Sequence, residues 1–357
     1  MKKSITVQSK GLTIGVDLGD THSVVCVLGE DGEVRKRMKV ATSKTAFQKL
    51  FGSLPTSRVV LEAGTHSPWV SRQLKSQGHE VLVANARRVR LIYENPNKSD
   101  HIDAESLGRV GRIDPKLLAP VQHRELEQQS HLAILRSRDA AVKARTLLVN
   151  HVRGAVKAVG ARLPRCSSSA FAGKARSHVP AELATAVGGL MDLITVVTGE
   201  IQQLDRTIDQ VAREHYPVAD KLMQIPGVGL LSAMRFVLTL QDPRRFRRNR
   251  SVGAFIGLTP RRGQSGRCDP QKRISKAGDS ALRWTLLQCS HYILGPFGPD
   301  SDLKRHGQKL SQRGGKNSKK RALVAVARRL AVLMLSLWKT GEKYEPLRHA
   351  NTAALSA

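Results

Sequence analysis

The sequence predicts an α/β unit with a mixed sheet, followed by an all-α remainder. Short apolar segments alternate with amphipathic ones as far as Ala84, which indicates strands and helices in turn. Beyond Arg124 a long stretch with few helix breakers is followed by apolar residues that recur at helical spacing. With 357 residues the chain exceeds one ordinary core, so we expect two or three domains.

The α/β unit is predicted to open with three consecutive strands. Gly29-Glu30-Asp31-Gly32 is a turn between the second and third of them, which favours an antiparallel meander. After the meander, strands and helices alternate, which indicates a mixed sheet covered by helices. The predicted strands are 12–18, 23–28, 33–40, 58–62 and 80–84, and the predicted helices are 45–54 and 67–77.

The middle of the chain is predicted to be a helical hairpin. Residues 124–159 contain few helix breakers, and residues 160–180 form a loop rich in Ser, Gly, Pro and Arg. A heptad seam follows, with steps of four and three residues, which packs either within the hairpin or against another subunit. The seam consists of Leu183, Val187, Leu190, Ile194, Val197, Ile201, Leu204, Ile208 and Val211.

The C-terminal part begins with a pattern typical of a helix-hairpin-helix. Residues 222–236 contain a Pro-Gly-x-Gly turn, and the backbone N–H groups of Gly227 and Gly229 would meet a phosphate there. An ordinary turn between two helices is the alternative. Two more helices, 279–294 and 318–338, are joined by a Gly/Lys-rich link. We expect domains at 1–120, 121–215 and 216–341, with a tail at 342–357.

The net charge indicates a polyanionic partner. Lys and Arg total 59 against 29 Asp and Glu, a formal charge of +30, and neutralising phosphates releases counterions. Aromatic residues make up only 4%, which argues against recognition by base stacking. The longest apolar stretch, 330–338, is too short to span a bilayer, so no membrane partner is expected. We expect a cytoplasmic, nucleoid-associated protein.

The four cysteines indicate neither a disulfide framework nor a zinc ribbon. Cys26, Cys166, Cys268 and Cys289 form no C-x-x-C pair. Free thiols in a reducing compartment are the expected state.

Four acidic residues form the first candidate site. Asp17 and Glu62 each end an apolar strand, and Asp100 and Asp103 lie three apart at the start of a predicted helix. Carboxylates that meet at one sheet edge repel each other, and divalent cations offset that repulsion. Two Mg²⁺ ions, or Mn²⁺, would clamp the attacking and leaving oxygens of a phosphodiester. Any single one could instead be a turn former or helix cap, as Asp103 could be.

A serine in a basic loop forms the second candidate site. Residues 242–276 contain eleven Lys/Arg and two Asp, so phosphate would dock there. Ser265 lies between Gln264 and Gly266, and neighbouring arginines would stabilise a phosphorane-like transition state. The alternatives are a loop serine that hydrogen-bonds phosphate or backbone, and Ser275 as the rival hydroxyl. The predicted nucleic-acid contacts in this region are Arg261, Arg262, Arg267, Lys272, Arg273, Lys276 and Arg283.

A basic helix near the C-terminus forms a third cluster. Between Asp302 and Glu342 there are eleven Lys/Arg and no acidic residue. Leu323, Val326, Leu330, Leu333 and Leu337 make an apolar stripe that should face the core. Lys319, Lys320, Arg321, Arg328 and Arg329 would then face nucleic acid, with a solvated charged face as the alternative.

These motifs together resemble a known family. The Asp17 strand, the Glu62 strand and the Asp100-x-x-Asp103 helix resemble a RuvC-like, RNase H-fold DEDD domain. The segments Gly-Leu-Thr-Pro, Gln-Ser-Gly and Ile-Ser-Lys-x-Gly-Asp-x-x-Leu-Arg, at 257–283, resemble the C-terminal transposase domain of the same family. Over residues 12–340 the chain is similar to transposases of the insertion-sequence family one-hundred-and-ten, with its eleven-eleven subgroup, which are relatives of the pilin-gene invertases.

The resemblance implies a mechanism and partners. The family's four metal-binding acids map onto Asp17, Glu62, Asp100 and Asp103, and its catalytic serine maps onto Ser265. It implies RNA-guided cleavage and exchange of double-stranded DNA, with a structured bridge RNA, a phosphoserine intermediate and a dimer or tetramer held by the heptad seam.

Three rival functions remain at this point. Residues 14–21 also resemble the first phosphate loop of actin-like ATPases and sugar kinases, which need further glycine motifs and would not favour a charge of +30. A metal-dependent junction resolvase would leave the Ser265 cluster unexplained. A non-enzymatic nucleic-acid-packaging protein would have no need of the four acids and the serine.

Overall fold

The computed structural model describes residues 11–89, 99–266, 268–270 and 272–348. Within these ranges the chain divides into two compact units between Glu125 and Leu126. The first unit combines a sheet with helices and the second is helical. The predicted fold class is therefore confirmed.

The first unit is built on a five-stranded mixed sheet. The strands are β1 (Thr13–Asp17), β2 (His22–Leu28), β3 (Val34–Ala41), β4 (Arg58–Glu62) and β5 (Glu80–Ala84). Their order is β3-β2-β1-β4-β5, as in an RNase H-like sheet. β1, β2 and β3 pair antiparallel, whereas β4 pairs parallel with both β1 and β5. The predicted meander is confirmed, and Gly32 closes its second turn with a φ of +86° that glycine adopts readily.

Helices cover both faces of this sheet. They are α1 (Lys44–Gly52), α2 (Ser67–Ser76), α3 (Ala86–Val89) and α4 (Asp100–Ile113), followed by a 3₁₀ turn at Pro115–Leu118. On one face the stacked rings of Phe47 and Phe51 pack in a core with Ile14 and Val16 of β1. On the other face α4 packs against β1 and β2, because alternate strand residues point to opposite sides.

Glycines bring α4 close to the sheet and fix its direction. A β-carbon at Gly15 would overlap the carbonyl oxygen of Ala104, and one at Gly111 would overlap the side chain of Val60. Arg58, at the start of β4, donates from Nη1 to the carbonyl oxygen of Gly111 near the end of α4, at 3.2 Å. The helix therefore runs opposite to β1 and β4, and its first turn lies at the edge where these strands end.

The second unit contains the helical hairpin and the C-terminal helices. They are α5 (Leu126–Ala158), α6 (Phe171–Ala175), α7 (Ala184–His215), α8 (Val218–Met223), α9 (Leu230–Leu240), α10 (Ser251–Ile256), α11 (Ser280–Leu294), α12 (Asp302–Ser311) and α13 (Ser318–Thr340). α5 and α7 pack against each other as predicted. Leu135 and Ile208 at the root of this hairpin share a core with Leu222 and Phe236, so the hairpin and the helices after it form one packed body.

The heptad seam on α7 is buried at every seventh position. Val187, Ile194, Ile201 and Ile208 are all less than 5% exposed. The alternate seam positions, Leu183, Leu190, Val197, Leu204 and Val211, are half-buried. The hairpin therefore covers one of the two seam rows completely and leaves the other partly accessible.

The sequence analysis overlooked one apolar segment. Among the described residues, the helical segment Ala181–His215 is long and apolar enough to cross a membrane by length and composition, and 17% of its most apolar window is buried. A single helix of this kind is weak evidence of insertion, because a soluble seam helix meets the same criterion.

Several short helices, among them α3, α6, α10 and α12, were not predicted from the sequence patterns. The predicted loop 160–180 contains α6, and the predicted Gly/Lys-rich link contains α12. Ser301 caps α12 by accepting from the backbone N–H of Lys304 at 3.2 Å. Gly307 lies inside this helix because a β-carbon there would overlap Leu294, so a residue that usually weakens helices allows close packing here.

Candidate functional site

The four predicted acidic residues lie at one edge of the first unit. Val16 pairs with Leu61, so Asp17 and Glu62 follow side by side where β1 and β4 end. The first turn of α4, which carries Asp100 and Asp103, lies at this same edge. Asp17, Glu62 and Asp103 are half-buried and Asp100 is exposed.

The cap of α4 is a serine and not one of these acids. Ser99 has an extended backbone, and its Oγ accepts from the N–H of Ile102 at 3.4 Å. The alternative in which Asp103 merely caps its helix is therefore excluded. Both carboxylates of the pair belong to the first turn of α4, where the helix dipole also favours negative charge.

Two neighbouring acids outside the predicted set have other partners. Arg37 and Arg109 donate to the carboxylate of Glu105 and hold its pKa below the usual range. Asp20 contacts Nε2 of His66 at 3.2 Å. A third neighbour, Glu94, lies outside the described residues. Glu105 in particular is committed to an arginine pair on the face of α4.

The acidic set fits a hard divalent cation by its chemistry. It consists of carboxylate oxygens only, the donors that Mg²⁺ and Mn²⁺ prefer, and three of the four residues are half-buried. The carboxylates share an edge but are not gathered into a tight ligand group. Among the described residues, the one close group of metal-binding side chains is Glu127, His131 and His215, far along the chain.

Ser265 lies at the tip of a basic hairpin. Its backbone N–H donates to the carbonyl of Cys268 and its carbonyl accepts from the N–H of Cys268, both at 3.0 Å. Gly266 occupies the turn with a φ of +55°, which explains a glycine directly after the serine. Ser265 is exposed, so the hydroxyl is carried on a tight turn that opens to solvent.

The base of this hairpin is held by backbone bonds and by one arginine. Arg261 donates to the carbonyl of Arg273 at 2.9 Å, and Ser275 donates to that of Thr259 at 2.8 Å. Arg283 directs Nη1 to several backbone carbonyls, including that of Ile256 at 3.0 Å. The structure thus shows a structural role for Arg283, and its contact with nucleic acid stays a prediction.

The rival serine is in a different environment. Ser275 is half-buried at the hairpin base, and its Oγ accepts from the N–H of Ala277 at 3.4 Å. It lies four residues before Asp279, which caps α11. Exposure and turn geometry therefore favour Ser265 as the accessible hydroxyl.

A basic cleft of about 1450 Å³ is lined by residues of both predicted basic clusters, the loop that carries Ser265 and the helix near the C-terminus. Residues of the hairpin base line the cleft together with residues of α12 and α13. Segments that are distant in sequence therefore surround one positively charged space. The predicted residues that line it are Lys272, Arg273, Lys276, Lys320, Arg321, Arg328 and Arg329. Asp302 and Glu345 are the two acidic residues in its lining.

Other predicted contacts lie outside this cleft. Arg261, Arg262 and Lys319 are exposed but do not line it, and Arg267 lies outside the described residues. The cleft also contains basic residues that the sequence analysis did not select: Arg250, Arg313, Lys343 and Arg348. Arg250 ends a basic run in the sequence, which could have indicated its place in the cleft. Lys343 and Arg348 belong to the predicted tail, to which no role was assigned.

The stripe on α13 is displaced from its predicted position. Val326, Leu330 and Leu337 are buried as expected, but Leu323 and Leu333 are only half-buried. Alanines and other residues complete the buried face: Ala322, Ala327, Ala331, Met334 and Leu335. The apolar face was misplaced because alanine contributes little to a pattern based on large side chains.

The Pro-Gly-x-Gly turn joins α8 to α9. Gly227 has a φ of +90°, and a β-carbon there would lie 2.8 Å from the ring of Tyr292. Gly229 is exposed and precedes α9, whose residues from Ala233 onward are buried. Packing alone explains the first glycine, so a phosphate contact at this turn stays a prediction.

A buried serine–histidine pair in the first unit has a structural explanation. Ser67 Oγ lies 2.8 Å from His123 Nε2, but Ser67 is fully buried and also bonds the backbone of Gly64. Burial and the nearby Arg72 lower the pKa of His123. This hydroxyl holds the start of α2 and is inaccessible to a substrate.

Comparisons with known proteins match the two regions that hold the candidate site residues, one with the four acidic residues and one with Ser265. Residues 14–160 match the family model of DEDD transposases of the IS110 type, and residues 219–304 match the model "Transposase IS116/IS110/IS902 family". The chain is 29% identical to the transposase for insertion sequence element IS1111A of Coxiella burnetii, covering 93% of this chain and 90% of that protein. It is 28% identical to a probable family 20 transposase of Pseudomonas aeruginosa, covering 93% and 98%. It is also 23% identical to a pilin gene-inverting protein of Moraxella bovis, covering 82% and 84%.

Proposed function

Because this chain belongs to the IS116/IS110/IS902 family of transposases, and is thus a DNA transposase and recombinase, we propose that it exchanges DNA strands through Ser265. The supporting observation is the position of this serine. It is exposed at the tip of a tight hairpin whose base lines a cleft rich in lysine and arginine. DNA phosphates attracted to that cleft would lie along the same hairpin that presents the hydroxyl.

The proposed chemistry is transfer of a phosphodiester to serine. Ser265 Oγ attacks the phosphorus, and the bond from phosphorus to one sugar oxygen breaks. The serine hydroxyl gives up its proton, and the departing sugar oxygen takes up a proton and leaves as a hydroxyl. A phosphoserine link to DNA results. Attack by the hydroxyl of another strand reverses the reaction and releases Ser265. No external energy is needed, because one phosphodiester bond is replaced by another of the same kind.

The acidic residues are proposed to assist from the first unit. Asp17, Glu62, Asp100 and Asp103 would hold Mg²⁺, two ions in the full site, or Mn²⁺. When bound, such cations neutralise charge on the reacting phosphate and orient it. Glu62 and Asp17 would anchor from the strand ends, and the first turn of α4 would supply the other two carboxylates.

The partners are proposed to include RNA as well as DNA. A charge of +30 exceeds what a few phosphate contacts require, which is compatible with a bridge RNA bound beside the DNA duplexes. The partly accessible row of the α7 seam would assemble copies of the chain into a dimer or tetramer. The serine test that follows therefore includes the element's own RNA.

We expect Ser265→Ala to abolish recombination and the covalent protein–DNA product, a loss of at least about a thousandfold. Ser275→Ala is the matched control, since it removes a hydroxyl from the same hairpin away from its tip. Asp17→Asn should also eliminate the reaction. The measurement is trapping of labelled element-end DNA on the denatured protein.

The results separate the rival mechanisms. Metal-dependent cleavage by Ser265→Ala, with free DNA ends and no protein adduct, would indicate a nuclease or junction resolvase without serine chemistry. Full activity in both Ser265→Ala and Asp17→Asn would contradict the proposal entirely.

A further inference from the structure

A histidine-rich cluster lies at the root of the helical hairpin, in the second unit. It consists of Glu127 and His131 on the first turns of α5 and His215 at the end of α7. Each residue offers one ligand atom, and these atoms all lie within 4.8 Å of one another. The strand-exchange chemistry proposed above uses none of these residues.

Helix geometry explains how the cluster forms. Glu127 and His131 are four residues apart, so they share one face of α5. The antiparallel partner α7 ends opposite this face and adds His215, whose Nδ1 lies 3.0 Å from Glu127 Oε1. The two imidazole rings have their centroids 4.8 Å apart. Two separate helices therefore direct nitrogen and oxygen donors toward one point.

The cluster has the surrounding bonds typical of a metal site. His131 Nδ1 lies 2.9 Å from Tyr216 Oη. In the tautomer in which Nδ1 of His131 donates to the phenol oxygen, its Nε2 keeps a lone pair for a cation.

We propose that Glu127, His131 and His215 form a zinc site that joins the start of α5 to the end of α7. Two imidazoles and one carboxylate are a donor set that suits zinc and not magnesium, with water as a fourth ligand. The bound ion would fix the hairpin where α7 leads into α8. This site differs from the acidic residues in its ligands, in its place in the chain and in the metal it selects.

The test is a zinc titration of the full chain after removal of metals. All proteins would carry Asp17→Asn and Asp103→Asn, so that the acidic residues of the first unit do not compete. We expect one equivalent of zinc to bind in competition with a chromogenic indicator at neutral pH. His131→Gln and His215→Gln should each lose it, whereas His151→Gln, an exposed histidine on α5, should retain it.

Two further measurements keep the test independent of folding defects. Cobalt bound to the site should give the intense visible absorption of a tetrahedral nitrogen-ligated ion, absent in His131→Gln. Tyr216→Phe should keep the stoichiometry but weaken binding by about 10–100-fold, the usual effect of losing a partner that orients a ligand. Thermal unfolding without metal should be similar in all variants that are compared.

Two results would overturn the proposal. One is retention of the zinc equivalent by both His131→Gln and His215→Gln, which would place the ion elsewhere. The other is the absence of zinc binding to the parent protein above the level of a chain lacking both histidines, which would leave an ordinary ion pair between Glu127 and His215.

Discussion

Gly15 determines how closely α4 approaches the sheet, and with it where Asp100 and Asp103 lie. The residue is in the middle of β1, with the carbonyl of Ala104 directly above it. The opposing group is backbone, so it cannot rotate away as a side chain would. A single methyl group at this position would therefore move the whole helix.

We expect Gly15→Ala to destabilise the first unit by about 3 kcal/mol, at the upper end of overpacking costs. Gly64→Ala is the matched control, because a β-carbon there meets no atom within 4 Å. Urea unfolding can be followed by Trp69 fluorescence after Trp284→Phe and Trp338→Phe. Equal stability of the two alanine variants would show that α4 does not lie against Gly15.

For single residues, the sequence predicts which functional groups form a site better than it predicts the contacts that those residues make. Apolar strands ending in Asp17 and Glu62 were sufficient to place both at one sheet edge, because strand direction follows from the α/β pattern. The role of Arg283 was not predictable, since its backbone partners come from a loop whose path no periodicity encodes. The sequence favours Ser265 over Ser275 by its flanking motif, but the exposure of Ser265 and the partial burial of Ser275 follow only from the hairpin turn.

α7 is the element whose pattern was most informative. Its steps of four and three predict a seam, and the structure buries every seventh residue of that seam. Adjacent residues on this helix have very different surroundings. Ile194 is fully buried with Val152 and Phe171, whereas Leu193 is 51% exposed.

We expect Ile194→Ala to lower the free energy of unfolding by about 2–5 kcal/mol, because it leaves a cavity in a packed cluster. Leu193→Ala removes a similar side chain at the surface and should change it by less than about 0.5 kcal/mol. Thermal unfolding at several protein concentrations measures both. A large, concentration-dependent loss in Leu193→Ala would instead indicate that a second copy covers this residue.

α12 shows where element-level prediction fails. Its sequence contains Gly307, which lowers helix propensity, and only two leucines, which do not make a clear apolar stripe. Tertiary packing against Leu294 and Val326 compensates for both. Such packing depends on residues distant in sequence and is invisible in a local window.

For the whole molecule, the excess of positive charge is concentrated where the structure forms a cleft. The sequence shows two basic stretches, but not that they face each other across one space. That convergence depends on the packing of α11 and α12 against α13, which no single segment specifies. The charge therefore predicts the class of partner, while only the fold predicts where it binds.

We expect replacement of Lys320 and Arg321 by Gln to weaken DNA binding and to reduce the slope of log K against log salt by about 0.9 per lost phosphate contact. Lys143→Gln with Lys157→Gln removes the same charge from exposed positions of α5 and is the control. Equilibrium binding over a range of salt concentrations measures the slopes. Identical slopes in the two double variants would show that the cleft has no special part in binding.

The helical hairpin contains two separate apolar clusters. One, around Phe171 and Met191, is at the tip, and the other joins Leu135 and Ile208 to the C-terminal helices. Residues that pack contiguously tend to unfold together. Amide hydrogens at the tip should therefore exchange with solvent by local opening of the tip, whereas those at the root should exchange only in rarer and larger openings. The far end of the hairpin is thus able to rearrange around a bound duplex without loosening the body that carries Ser265.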